Sequence, residues 1–288
     1  MALSGQVSAI TKEMHTLVLV YLAWRWNLPG LLCCGALLAL YAILAGFRPS
    51  RTLAWFLSGD IFLAVVVCSP VDLLARQYLF TAEALEQMLI GLLAAYLLVL
   101  GAPENAVRRL HLDRMRVSYY LTWVTGMAAL SMWYFPRLLN AALASDSVRC
   151  SEYATLVAGG AVFWWPLHSP LREQRIPLVP NSLLYLVAAT VWCSLIGLFV
   201  AFGPSWSSSH YLRSIDTLHI SDSLVNDWSF TRETDQETAG LLFWISAATI
   251  LLTEVMLVYY RWYVSPEVRN ESTSGIETVR PPPRPGTR

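Results

Sequence analysis

Residues 69–103 read SPVDLLARQYLFTAEALEQMLIGLLAAYLLVLGAP, a polar opening followed by a long apolar run closed by Gly101-Ala102-Pro103. The run from 84 to 101 has a length within the roughly 17–25 residues that a spanning helix needs. Three polar residues, Glu83, Glu86 and Gln87, stand at i, i+3 and i+4 where this helix begins. That spacing puts them on one helical face at the membrane surface.

Working outward, the rest of the chain repeats the pattern. Fifty-six per cent of the 288 residues are hydrophobic and only 14% are charged, and the mean hydropathy is +0.48. A soluble domain of this size does not have that composition. Further apolar runs fall at 28–47, 53–69, 118–135, 153–167, 180–202 and 239–263. The run at 153–167 is the shortest, but its Trp164-Trp165-Pro166 end suits an interfacial anchor. These runs predict an all-α polytopic membrane protein with seven transmembrane helices. The domain plan is an extracytoplasmic interfacial segment 1–27, a seven-helix membrane domain 28–263 that includes an outer loop 203–238, and a disordered cytoplasmic tail 264–288.

Orientation follows from the basic residues. With seven spans, thirteen of the 20 Lys and Arg residues fall on the side that holds the C-terminus. Arg108, Arg109, Arg114 and Arg116, in one short loop, dominate the asymmetry. The positive-inside rule places the C-terminus in the cytoplasm and the N-terminus outside. Lys and Arg balance Asp and Glu at 20 each, which argues against a nucleic-acid partner. The N-terminus lacks the layout of a cleavable signal peptide, and residues 15–26 are expected to lie along the outer interface. The tail ends in PPPRPGTR and carries little to pack.

Side chains that bear chemistry are scattered. Of the five histidines, His111 and His168 lie on the inner side, and His15, His210 and His219 lie outside the spans, so no bis-histidine haem site forms. Cys33, Cys34, Cys68 and Cys150 fall on the outer side, as does Met88, one turn into the third span. Their sulphurs suit Cu(I), although free Cys is also a common buried hydrophobe and no CxxC spacing occurs. A Cys68–Cys150 disulfide stays open. Asp60 and Glu254 are intramembrane acids in the inner half. They suit either a proton or substrate path or a structural role, for instance Glu254 bonded to a Tyr or to Arg261.

Several motifs in order carry a family resemblance. These are Ser69-Pro70 with Asp72, Tyr78-Leu79-Phe80, Gly101-Ala102-Pro103, Trp133 with Pro136, Phe163-Trp164-Trp165-Pro166, and Asp235-Gln236 followed by Gly240 and Trp244. Their order and spacing over residues 24–263 resemble the CtaG-like family of bacterial cytochrome c oxidase assembly factors, seven-helix membrane proteins linked to copper insertion. The departures are as specific. Where the resemblance implies two histidines opening the third span, Glu83 and Gln87 stand. Tyr134 follows Trp133 in place of a fourth-span histidine, and Arg149 and Tyr153 replace the two before the fifth. Glu and Tyr oxygens do not replace imidazole for Cu(I), and Arg binds no cation. Arg149 is instead placed to pair with Glu83, Glu86 or Glu152.

The resulting reading is a divergent, non-enzymatic member serving the terminal oxidase from the bacterial cytoplasmic membrane, as assembly factor or accessory subunit. Its partners are the lipid bilayer and oxidase subunits or another membrane protein, with no cofactor expected. One alternative is a copper-handling factor using Cys68, Met88, Cys33 or Cys34 with neighbouring acids. Another is a small-molecule or proton transporter built on Asp60 and Glu254.

Overall fold

The computed structural model describes residues 18, 24–46, 50–104, 118–168, 179–203 and 231–264. Among these residues every element is helical. The order is α1 (Leu28–Ala45), α2 (Arg51–Cys68), α3 (Pro70–Gln77), α4 (Phe80–Leu100), α5 (Tyr119–Ser131), α6 (Pro136–Ala144), α7 (Asp146–His168), α8 (Val179–Phe202) and α9 (Arg232–Tyr263). The arginines at 108–116, the tail, the histidines other than His168 and most of the 203–238 loop lie outside the described residues, as do residues 1–17 and 19–23.

Helix ends follow the local sequence. Asn27 accepts from the Gly30 amide at 3.1 Å and Pro29 opens α1, while Ser50 caps α2 through the Leu53 amide. Ser69 caps α3, with Pro70 at its first position, so the Ser-Pro pair turns the chain sharply out of α2. No neighbouring side chain caps α4. Instead Asp235 reaches across from α9, and its two oxygens accept from the Phe80 and Thr81 amides at 2.8 and 2.9 Å.

Five of these helices, α1, α2, α4, α8 and α9, are long and apolar enough to cross a membrane. The run expected as one helix at 118–135 is broken. α5 ends at Ser131, Met132–Tyr134 tighten into a 3₁₀ turn, and Phe135 is extended at ψ 130° before Pro136 opens α6. Proline disfavours the helical conformation in the residue before it. The run expected at 153–167 instead begins at Asp146 and runs for 23 residues. Its first turns carry Arg149 and Glu152, which apolar counting excludes but which are buried.

α4 is the centre of the bundle, with 67% of it buried against 22–33% for the other four long apolar helices. The outer faces of α1, α8 and α9 expose Leu32, Ile43, Leu195, Leu198, Ile245 and Met256, while Asp60, Glu83, Glu86, Arg149, Glu152 and Glu254 are enclosed. This inside-out distribution suits a hydrocarbon solvent. Close backbone contact joins the centre to its neighbours. A Cβ on Gly160 of α7 would collide with the Gly91 carbonyl of α4, and one on Gly197 of α8 would lie 2.8 Å from the Gly240 carbonyl of α9. Between Leu89 and Ala94 α4 widens into a π-helical turn, and Trp164 Nε1 donates to the Leu92 carbonyl at 2.9 Å.

Candidate functional site: a buried ionic cluster

The structure brings together all five residues of the polar set read from sequence. Arg149 is the hub. Its Nη1 donates to Glu83 Oε1 at 2.6 Å and to Glu152 Oε2 at 2.8 Å. Its Nη2 donates to Glu86 Oε2 at 2.5 Å, and its Nε donates to the Tyr153 hydroxyl at 3.0 Å. Gln87 Nε2 bridges Glu83 Oε1 and Glu152 Oε1 at 2.9 and 2.8 Å. Helical geometry explains the convergence. Glu83, Glu86 and Gln87 share one face of α4, and Arg149, Glu152 and Tyr153 share one face of α7.

A second layer ties the cluster to the surrounding helices. Asp72 Oδ1 on α3 accepts from Asn27 Nδ2 at 2.7 Å and Arg76 Nε at 3.1 Å, and the Tyr153 hydroxyl lies 2.9 Å away. Arg76 continues outward to exposed Asp146 at 2.8 Å. Burial works against the Arg76 charge, but the Asp72 carboxylate and the Asp146 hydrogen bond outweigh it and raise its pKa. Asn27, Arg76 and the hub role of Asp72 were missed by sequence reasoning. Asp72 was visible only as a motif residue, since a partner 81 positions away leaves no periodic signal.

The other motif residues serve the scaffold. Gln236 Nε2 donates to the Val200 and Gly203 carbonyls at 2.9 and 2.8 Å, closing the end of α8. Asp235 closes the start of α4. Phe163 and Trp164 are fully buried, Trp165 packs on the core, and Pro166 lies inside the last turn of α7. Gly101 is where α2 presses in, since a Cβ there would collide with the backbone of Phe56.

Soft ligands are placed elsewhere. Cys33 and Cys34 lie on α1, Cys68 ends α2, and Met88 is enclosed in the core of α4. Cys68 and Cys150 are both free thiols. Among the described residues no three His, Cys, Asp or Glu side chains are grouped so as to hold a metal ion. The ionic cluster itself does not fit Cu(I), because its atoms are carboxylate, amide and phenol oxygens around a guanidinium. At the opposite end of α4 stands a smaller polar group, which contains the Glu254–Tyr bond expected from sequence and adds His168 to it. His168 Nε2 is 3.0 Å from Glu254 Oε1, both buried, at an angle that falls short of a hydrogen bond. The Tyr96 hydroxyl reaches Glu254 Oε2 at 3.3 Å. Asp60 is buried on α2.

These features define an all-helical membrane protein organised around a central helix with a buried ion network at one end. The family model for the cytochrome c oxidase caa3 assembly factor (Caa3_CtaG) matches residues 37–265, and the chain belongs to this family. Comparison with curated proteins and with solved structures gave no match.

Proposed function

We propose that this protein serves cytochrome c oxidase from the bacterial cytoplasmic membrane, in its assembly or as an attached accessory subunit, without catalysing a reaction of its own. Membership in the assembly-factor family supports the oxidase role. The observation that carries the finer reading is the convergence of Arg149 on Glu83, Glu86 and Glu152. The positions where family resemblance implies histidine, Glu83, Gln87, Arg149 and Tyr153, are joined in one hydrogen-bonded network, and buried Tyr134 packs against Phe80 at the start of α4. A scaffold that kept its shape and exchanged metal ligands for an ion network is the simplest physical account.

In this reading α5 with its following turn, and α7, complete seven spans, with the N-terminus and the 203–238 loop outside and the tail inside. The cluster then lies at the outer side, facing the bilayer interface and an oxidase subunit. Affinity purification from native membranes tests the role. Oxidase subunits are expected to co-purify, and their absence together with normal oxidase maturation in a deletion strain would refute it. Copper handling through Cys33, Cys34, Cys68 and Met88 is the competing reading. After Cu(I) loading and desalting, elemental analysis is expected to find little copper. Near-stoichiometric copper that disappears in Cys68→Ser would establish the competitor.

A further inference from the structure

The cluster holds more carboxylates than cations. Asp72, Glu83, Glu86 and Glu152 are each at most 2% exposed, and they face two guanidiniums, Arg149 and Arg76. One of these, Arg76, is shared with Asp146 at the surface. Uncompensated charge in such a site is expensive. Two of the acids have their own donors: Asp72 has Asn27 and Arg76, and Glu86 has Arg149 Nη2. The Tyr153 hydroxyl lies 2.9 Å from Asp72 and 2.8 Å from Glu86, and its single hydrogen serves one of them at a time.

Glu83 and Glu152 differ, because they divide the hydrogens of the same two nitrogens, Arg149 Nη1 and Gln87 Nε2. Both hydrogens of the Gln87 amide are used in this way, which fixes its orientation and leaves its Oε1 pointing at no donor. Glu83 Oε2 is likewise buried with no donor, and so is the Tyr134 hydroxyl. The two carboxylates are thus held beside each other, bridged twice by the same pair of nitrogens. Two ionised carboxylates have no hydrogen to put between them; a carboxylic acid and a carboxylate do. A metal ion fits poorly here, since Arg149 already lies 2.6 Å from Glu83 Oε1.

We propose that Glu83 and Glu152 share one bound proton, which makes the cluster a buried proton-binding site in place of a metal site. The proton comes from water and belongs to the pair rather than to either residue. The charged and titratable groups around it are Asp72 and Arg76 from α3, Glu86 from α4, Tyr134 from the 3₁₀ turn, and Arg149 and Tyr153 from α7, with Cys193 of α8 beyond Tyr134. From α9, Asp235 is occupied at the start of α4. The proposal rests on the reading that copper is not held here, and the two fail separately. Elemental analysis addresses the metal, and the measurements below address the proton.

The full-length protein in nanodiscs at neutral pH is examined by infrared spectroscopy. A protonated-carboxyl C=O band that shifts in D₂O is expected, reduced in Glu83→Gln/Glu152→Gln but not by the same substitution at the other buried acids, Asp60→Asn and Glu254→Gln. If the double variant does not fold, the single variants and the wild type decide through melting temperature against pH. A folded state that binds one proton more than the unfolded chain loses stability as pH rises, by tenfold in the folding equilibrium per pH unit where the unfolded acid is ionised. Wild type should therefore melt progressively lower as pH rises from about 5 towards neutrality, the range above the ordinary glutamate pKa. Glu152→Gln, neutral like the acid, should flatten that slope. A band unchanged by substitution of the pair, or equal slopes in wild type and Glu152→Gln, would overturn the proposal. So would protection by Na⁺ over K⁺ at fixed ionic strength that is lost in Glu83→Gln, which would assign the site to a cation.

Discussion

At one end of α4, Arg149 meets three carboxylates and a tyrosine hydroxyl within 3.0 Å. At the other, His168 meets one carboxylate, Glu254, at 3.0 Å without hydrogen-bond geometry. Both ends bury ionisable side chains, yet they depend on them to different degrees. A guanidinium presents a planar fork of donors and stays charged, so one Arg can anchor groups from several helices. An imidazole can give up its charge, and a His–Glu pair can relax to a neutral one. The Arg149 end therefore ties helices together, whereas the His168 end tolerates change.

Four substitutions can break or sharpen this contrast. Arg149→Met strands Glu83, Glu86 and Glu152 in the interior, and breaking a buried pair in this way costs about 3–5 kcal/mol. We expect a large fall in melting temperature and little protein in the membrane. A variant as stable as wild type would erase the distinction between the ends. Gly160→Ala acts between the two ends, driving a methyl group into the Gly91 carbonyl. Overpacking against backbone costs roughly 1–3 kcal/mol, and thermal unfolding should place this variant below wild type. Asp235→Ala uncaps α4 at the Arg149 end, a change worth about 1–2 kcal/mol. Faster hydrogen exchange at the Phe80 and Thr81 amides would report it directly. Glu254→Gln keeps an acceptor for Tyr96, so its effect should stay near 1 kcal/mol, the scale of one ordinary hydrogen bond. If it destabilised as much as Arg149→Met, the His168 end would be an anchor too.

Much of this contrast was legible before any coordinates. Length and apolarity marked the long helices, and the i, i+3, i+4 spacing put Glu83, Glu86 and Gln87 on one face. Arg149 could be set opposite them because family resemblance aligned it with the same end of the bundle, and Glu152 followed as its neighbour in sequence. Three things were not legible. The start of α7 at Asp146 was hidden because Arg149 and Glu152 read as loop residues in a hydropathy scan, although the interior accepts them when paired. The contributions of Asn27 and Asp72 depend on contacts across 45 and 126 positions of chain, which no local pattern encodes. The break before Pro136 was visible as a proline, but an apolar run on both sides concealed that the helix stops there.

The π-helical turn at Leu89–Ala94 sets the angular register of everything that follows it in α4. Along an unbroken α-helix, at about 100° per residue, the nine positions from Gln87 to Tyr96 would leave the two side chains on opposite sides. A π turn absorbs one extra residue, which brings Tyr96 back by about 100°. Gln87 and Tyr96 both face α7, where Gln87 bonds Glu152 and the Tyr96 ring packs edge-on against Trp164. Removing any one residue from 89–94 would let the helix close up as regular α. Tyr96 would then stand eight positions after Gln87, about 80° around a regular α-helix, which is the relation the π turn already gives. A one-residue deletion here would therefore leave both ends facing as they do, whereas the same deletion in a regular α stretch of this helix would swing everything beyond it by about 100°.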